Sequence, residues 1–171
     1  RSYFADSSVF TIFSFNPLHG SLRGALSKPN EAVITASTAR KYFGRTDVVN
    51  ESLEAVGGLH KITAVIEDVP ANTHLKFDFL LSHVTYPKIR NNYTDHSWES
   101  GNNEFTYLLM TPGTDVTTFN KKLTDLSASL KDKINEDRFS AEPIKDIHLY
   151  SNKTFEPEVN GNARTVYALL V

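Results

Sequence analysis

The stretch Ile62–Ser82 has the sequence ITAVIEDVPANTHLKFDFLLS and contains two segments of alternating hydrophobicity on either side of a polar break. In the first segment Ile62, Ala64 and Ile66 occupy every second position, a period typical of a β-strand with one buried face. The second segment repeats this period with larger side chains, which are those of Phe77, Phe79 and Leu81. We therefore expect two strands joined by a short connection.

The connection between these strands covers residues 68–74 and is rich in polar side chains. Pro70 fixes its own φ and lacks a backbone donor, and the Asn and Thr that follow can bond a turn backbone. His74 is close in sequence to Asp68 and Asp78, which permits a general base with an orienting carboxylate. The alternative is a rigid corner between two subdomains, in which His74 closes the turn. We favour the corner, because a motif without confirming geometry is only a hypothesis.

Length and composition set the broad class. A chain of 171 residues can form one domain or two small ones with a buried core. The net charge is −2 and Lys and Arg form no cluster, so nucleic-acid binding is not indicated. The sequence has no cysteine, which excludes disulfides and thiolate metal sites. It contains no signal peptide and no apolar run of membrane-spanning length. Both ends lie inside structural patterns, so we expect a segment of a larger protein.

A strand followed by a helix is the clearest local signal in the first half. Residues 32–34 are Ala-Val-Ile, which predicts a short buried strand. Thr35 is suited to cap the helix Ala36–Phe43, and Gly44 stands where a left-handed C-terminal cap is expected. This unit predicts a helix that leaves the sheet directly after the strand.

Further elements are expected on both sides of this unit. A short helix should begin after Asp6 and end before Pro17, because the residue before a proline is pushed out of the helical region. His19-Gly20 should form a turn. Ser52–Val56 and His60–Ile66 flank a glycine-containing turn and predict a hairpin.

The second half predicts one strand, one long helix and a further strand or two. Phe105–Met110 alternates as a strand would. Thr114 or Asp115 should cap a helix that runs from Val116 to about Lys133 with an apolar stripe at three- and four-residue steps. Phe139–Tyr150 predicts one or two strands. Because strands and helices interleave without regular alternation, we assign the α+β class.

No catalytic, metal-binding or cofactor-binding residue is predicted. The sequence has six histidines but no pair at helical ligand spacing, and it lacks a serine-nucleophile elbow and a phosphate-binding glycine loop. His148 beside Asp146 permits the same two interpretations as His74, and we again favour the structural one. Tyr86, Tyr93 and Trp98 offer an aromatic surface for a sugar or a peptide, or they cover the core of the second lobe. Both interpretations of this surface remain open.

An ordered series of motifs resembles a known family. It begins with ADSSVFTIFSFNPLHG (5–20), PNEAVITASTARKYFG (29–44) and the stretch 62–82. It continues with Trp98, FTYLLM (105–110), PIKDIHLYS (143–151) and NGNARTVYALLV (160–171). Together these motifs resemble the large extracytoplasmic domain of MacB/FtsX-type ABC transporter permeases, in particular a Bacteroidetes-like subgroup. The similarity extends over nearly the whole chain.

The resemblance implies a location and a two-lobed architecture. The domain would lie in the periplasm, between the first two membrane helices of an inner-membrane permease. Residues 1–72 and 154–171 would form a porter-like lobe that lacks its N-terminal part, and residues 73–153 would form an inserted Sabre-like α/β lobe. No site residues follow from the resemblance, because the family's functional surfaces are spread over the lobes.

The resemblance also implies a function without catalysis. ATP would be hydrolysed by a separate cytoplasmic ABC ATPase subunit or domain, and the periplasmic domain would transmit the resulting motion to export or efflux of a substrate. Implied partners are the permease's own transmembrane helices, a second protomer in a homodimer and, as a further candidate, a periplasmic adaptor. Two alternatives are a secreted glycan- or peptide-binding module and a small hydrolase that uses His74 or His148.

Overall fold

The computed structural model describes residues 1–89, 104–130, 138–147, 150–151, 157–158 and 161. The chain divides into two compact units, residues 1–94 and residues 95–171. The first unit contains a six-stranded mixed sheet with short helices, and the described part of the second contains one longer helix. This arrangement confirms the α+β class.

The first unit is built around its mixed sheet. The strands are β1 (Ser2–Ala5), β2 (Pro17–Gly20), β3 (Glu31–Thr35), β4 (Ser52–Ala55), β5 (Gly58–Ile66) and β6 (Phe79–Ser82). The helices are α1 (Val9–Ile12), α2 (Ala36–Phe43) and α3 (Tyr86–Ile89), with a 3-10 turn at His83–Thr85 before α3. The strand order is β1-β6-β3-β5-β2, with β4 paired to the first half of β5. β1 is parallel to β6 and β3 is parallel to β5, whereas the other pairs are antiparallel.

The strand–helix unit and the hairpin expected in the first half are confirmed. The Thr35 hydroxyl accepts a hydrogen bond from the Thr38 backbone N–H at 3.3 Å, which caps α2. The helix ends at Gly44, whose φ is +72° and whose N–H bonds to the Arg40 carbonyl. β4 and β5 form the expected hairpin, and α1 lies where a short helix was predicted.

The sheet buries apolar side chains on both faces. One face carries side chains from the central strands β3, β5 and β6 and from the loops before β3 and after β5. Its buried members are Ala25, Leu26, Val33, Ala64, Ile66, Leu75, Phe77 and Leu80. The other face packs against α2 and the hairpin; its buried members are Ala32, Ile34, Ala39, Val48, Leu53, Ile62, Val65 and Leu81. The central strands therefore have no solvent-facing side, which is typical of a sheet covered on both faces.

The prediction that the strand Ile62–Ile66 buries only one face is wrong, because β5 contains a bulge. Ala32 pairs with Ile62, but the next residue of β3 pairs with Ala64, so Thr63 is an extra residue in the ladder. The Thr63 hydroxyl donates to the Ala32 carbonyl at 3.1 Å. One inserted residue reverses the alternation, and Ile62 consequently packs with Val65 rather than with Ala64.

The predicted turn at His19-Gly20 is also wrong, because both residues belong to β2. This strand pairs antiparallel with the second half of β5, and Gly20 lies opposite Ala64. Gly20 has a φ of +78°, and a Cβ added there would lie 2.3 Å from the Thr63 carbonyl oxygen. The glycine thus permits a close approach of two strands beside the bulge.

The long helix of the second unit is confirmed, and the strands expected around it are not found among the described residues. The helix α4 covers Val116–Ser129, and the Asp115 carboxylate accepts from the first backbone N–H groups of the helix. Phe105–Met110 has no regular secondary structure. The described part of Phe139–Tyr150 contains a 3-10 turn at Ile144–Asp146. An alternating pattern does not by itself supply the hydrogen-bonding partner that a strand requires.

The two-lobed division at residues 72/73 and 153/154 stays a prediction. Most of residues 154–171 lie outside the described residues. Within the described part, β6 pairs with β1 and β3, so residues 79–82 belong to the sheet of the first unit. The contact-based division falls later, between Thr94 and Asp95.

Candidate functional site

The connection between β5 and β6 crosses the end of β3. Both strands are neighbours of β3 in the sheet, one parallel to it and one antiparallel. The C-terminal ends of β3 and β5 and the start of β6 therefore lie at the same end of the sheet. Because α2 begins directly after β3, the connection lies beside the N-terminus of this helix.

Asp68 binds the N-terminal turn of α2. Its carboxylate accepts from the Ser37 backbone N–H at 2.8 Å and from the Ser37 hydroxyl at 2.5 Å. Partial burial acts to raise the pKa of Asp68, but the Ser37 hydrogen bonds and the Arg40 charge outweigh burial and lower it below its ordinary value. Asp68 is thus ionised at neutral pH and stabilises the positive end of the helix.

Glu67 connects the same segment to the residue before β2. The Asn16 side-chain amide donates to the Glu67 carboxylate at 2.9 Å, and the Glu67 N–H donates to the Asn16 carbonyl at 2.9 Å. Further along, the Thr73 hydroxyl accepts from the Leu75 N–H at 3.2 Å, and Thr73 donates its own N–H to the Pro70 carbonyl. These bonds close the turn that the sequence predicted.

His74 lies in the core of the first unit and not at an open surface. It is 7% exposed, and its ring centroid is 6.0 Å from that of Phe13. Of the two carboxylates expected beside it, Asp68 accepts from Ser37 and Asp78 is exposed. The geometry favours the structural interpretation of His74 as the residue that closes a corner.

An open depression of about 360 Å³ lies between the connection and the start of α2. One side is formed by Thr35 and Ser37, and the other by residues 68–71 and 76–78. Among residues 1–89, 104–130 and the shorter described segments, no cluster of His, Cys, Asp or Glu is arranged to hold a metal ion. The depression offers hydroxyls, carboxylates and the side chains of Arg1 and Lys76. Its Ser37 hydroxyl donates to the Asp68 carboxylate, which is the contact that holds the first turn of α2.

Of the three residues in the predicted aromatic surface, the structure describes Tyr86. This residue begins α3 and is half-buried. Its ring stacks on His83 at 5.8 Å with an interplanar angle of 20°, and it lies 5.1 Å from the ring of Phe4. Tyr86 therefore contributes to the packing of the first unit. Tyr93 and Trp98, and also His148, lie outside the described residues.

Sequence reasoning missed an exposed apolar surface at the tip of the β4–β5 hairpin. Val56 is 54% exposed and Leu59 is 64% exposed, and only Gly57 and Gly58 stand between them. Beneath the tip, His60 is fully buried and its Nε2–H donates to the Val56 carbonyl at 3.0 Å. The available signal was the placement of two aliphatic residues at a turn, where polar residues are usual.

Comparison with solved structures identifies the class of fold. The chain is similar to a domain of a protein described as a permease from Porphyromonas gingivalis, with a TM-score of 0.58, 20% identity, and coverage of 89% of this chain and 72% of that one. It is also similar to the periplasmic region of MacB from Actinobacillus actinomycetemcomitans, with a TM-score of 0.51, 12% identity, and coverage of 77% of this chain and 57% of that one. The fold is therefore that of the periplasmic domain of a membrane permease.

The family follows from the sequence match. The model of the MacB-like periplasmic core domain matches residues 1–126, and the chain belongs to this family. Comparison with curated proteins gives no match. None of the described helices is both long and apolar enough to cross a bilayer. The extracytoplasmic location and the family expected from the motif series are thereby confirmed.

Proposed function

We propose that this chain is a non-catalytic domain of an ABC exporter permease, which transmits motion driven by cytoplasmic ATP hydrolysis to the export or efflux of a substrate. The family match over residues 1–126 is the observation that carries the proposal. The partners that we propose are the permease's transmembrane helices, a second protomer, an ABC ATPase subunit or domain and a periplasmic adaptor.

The sheet of the first unit has the properties that a transmitting element requires. β5 is the longest strand and pairs with β2, β3 and β4, so a force on the hairpin is distributed over four strands. Apolar side chains are packed on both faces, and close-packed interiors transmit displacement because they deform little. A rigid body of this kind moves as a whole when the transmembrane helices of the permease move.

The geometry of the described residues supports a function without catalysis. Asp68 binds Ser37, Asp78 is exposed, and His74 itself is buried. If His74 were a catalytic base, the purified chain would show a turnover that is lost in His74→Ala. We expect no such turnover with ester, peptide and glycoside test substrates. A turnover that disappears in a folded His74→Ala variant would support the hydrolase alternative.

The aromatic surface remains part of this proposal as a contact site for a partner. We propose that the surface formed by Tyr86, Tyr93 and Trp98 contacts a partner protein of the permease. A saturable signal on a glycan array that is lost in Trp98→Ala would instead favour a carbohydrate-binding module.

The transmission itself is testable without knowledge of the cargo. In the full-length permease with its ATPase, spin labels at Leu59→Cys of both protomers should change their separation between the ATP-free and the vanadate-trapped states. The matched control is a pair of labels within one unit, at Ser52→Cys and Lys41→Cys, which should keep its distance if the sheet moves as a rigid body. Unchanged distances between protomers in all nucleotide states would contradict the proposal.

A further inference from the structure

The connection from Glu67 to Asp78 has two halves that are held in different ways. In the second half, His74, Leu75 and Phe77 are buried, and Leu75 and Phe77 are members of the apolar cluster on one face of the sheet. In the first half, residues 67–72 are exposed except for Val69, which is half-buried against the same core. The first half is therefore attached mainly by its polar contacts.

These polar contacts reach two other parts of the chain. Asp68 accepts two hydrogen bonds from Ser37, which is 31 residues away in sequence, and Glu67 exchanges two bonds with Asn16, which is 51 residues away. All four bonds lie at the surface, where water can replace each partner. Segments with few buried apolar contacts and exposed hydrogen bonds open at low free energy without unfolding of the rest of the molecule.

We propose that residues Glu67–Asn72 form a latch that closes over the N-terminus of α2 and opens as a unit while the sheet stays folded. In the closed state Asp68 neutralises the first turn of α2 and Glu67 holds the start of the segment beside β2. Opening releases both contacts and lifts one side of the 360 Å³ depression away from Thr35 and Ser37. The buried residues His74, Leu75 and Phe77 anchor the far end. This inference does not depend on the proposed function.

Hydrogen exchange of the full 171-residue chain tests the latch. In Asp68→Ala we expect the hydrogen-bonded amides of Ser37, Glu67 and Thr73 to exchange faster together, by about 2- to 30-fold, the range that corresponds to loss of a helix cap. The amides of the central strand β3, Ala32–Ile34, should be unchanged. Ser37→Ala removes the hydroxyl bond alone and should give the same pattern with a smaller increase.

Asp6→Ala is the matched control. The Asp6 carboxylate is also exposed and accepts from a backbone N–H, that of Ser8, at 2.7 Å, but this contact spans only two residues. The control variant should therefore change exchange only next to Ser8. If Asp68→Ala accelerates exchange at Ser37 but not at Glu67 and Thr73, Asp68 is a simple helix cap and no latch exists.

Three other outcomes would also overturn the proposal. Unchanged exchange at all three amides would show that the Asp68 contact does not hold the segment. A uniform increase that includes Ala32–Ile34 would show that the segment opens only with global unfolding. Failure of Asp68→Ala to fold would show that the contact supports the sheet itself, and Ser37→Ala would then be expected to raise exchange in β3 as well.

Discussion

The substitution Gly20→Ala should destabilise the first unit strongly, because Gly20 lies against the bulge of β5. Its φ of +78° is in the left-handed region, which costs an L-residue about 1–2 kcal/mol. The added Cβ would also lie 2.3 Å from the Thr63 carbonyl oxygen and 3.0 Å from the Ala64 Cα. Both contacts are with backbone, so a rotamer change cannot relieve them and the two strands must separate.

Gly44→Ala isolates the part of this effect that comes from the backbone conformation. Gly44 has nearly the same φ, +72°, but an added Cβ there would meet no atom within 4 Å. We expect about 1–2 kcal/mol for Gly44→Ala from the backbone conformation alone. The overlap at Gly20 should add about 1–3 kcal/mol, the usual range for overpacking, for a total of about 2–5 kcal/mol.

The assay is hydrogen exchange of the β3 peptide as a function of urea concentration, which reports the stability of the sheet. Tryptophan fluorescence is unsuitable, because the single tryptophan, Trp98, belongs to the second unit. Equal losses of stability for the two variants would refute the reasoning, since they would mean that β2 does not approach β5 at Gly20. A loss at Gly44 larger than that at Gly20 would contradict it more strongly.

Three further predictions concern the core, a helix cap and pH. Ile34→Ala should lower the free energy of unfolding by about 2–5 kcal/mol in the same assay, because it empties a buried position. Leu59→Ala at the exposed hairpin tip should change this free energy by less than about 0.5 kcal/mol. Similar losses of stability for the two variants would contradict the assigned core. Thr35→Ala should cost about 1 kcal/mol and Thr35→Ser much less, and an equal loss for Ala and Ser would show that the hydroxyl does not cap α2. Because the pKa of Asp68 is lowered in the folded state, its ionised form stabilises the fold above the ordinary pKa of 3.8, and this contribution is lost as the pH falls through the lowered value. Asp68→Ala should therefore show a weaker loss of urea resistance on acidification below about pH 4 than the parent chain, and identical profiles would contradict the assignment.

Features encoded within a few residues were predictable from the sequence. Thr35 and Gly44 bracket α2 because both caps depend on residues within one turn of them. The hairpin followed from two glycines between alternating segments, and either Thr114 or Asp115 was expected to cap α4, of which the structure has Asp115. In each case the structure-determining interaction and its sequence signal lie in the same short segment.

Features that depend on distant partners were not predictable. The bulge at Thr63 arises from pairing with β3, and one extra residue reverses the expected faces of Ile62 and Ala64. The His19-Gly20 pair is typical of a turn, but the positive φ of Gly20 instead permits β2 to approach β5 closely. The contact between Asp68 and Ser37 joins residues 31 positions apart, and nothing in the polar stretch around Asp68 indicates which residue it binds. Phe105–Met110 alternates, yet alternation does not provide the neighbouring strand that a ladder requires.

The most direct test of the central claim is to determine the parent reading frame for about 40 residues beyond each end of the chain, enough to contain an apolar span of about 20 residues. If this is a periplasmic domain of an exporter permease, an apolar span of that length should stand on both sides. A cleavable signal peptide before the chain and a stop codon soon after it would contradict the account, and a free periplasmic binding module would then be the better explanation.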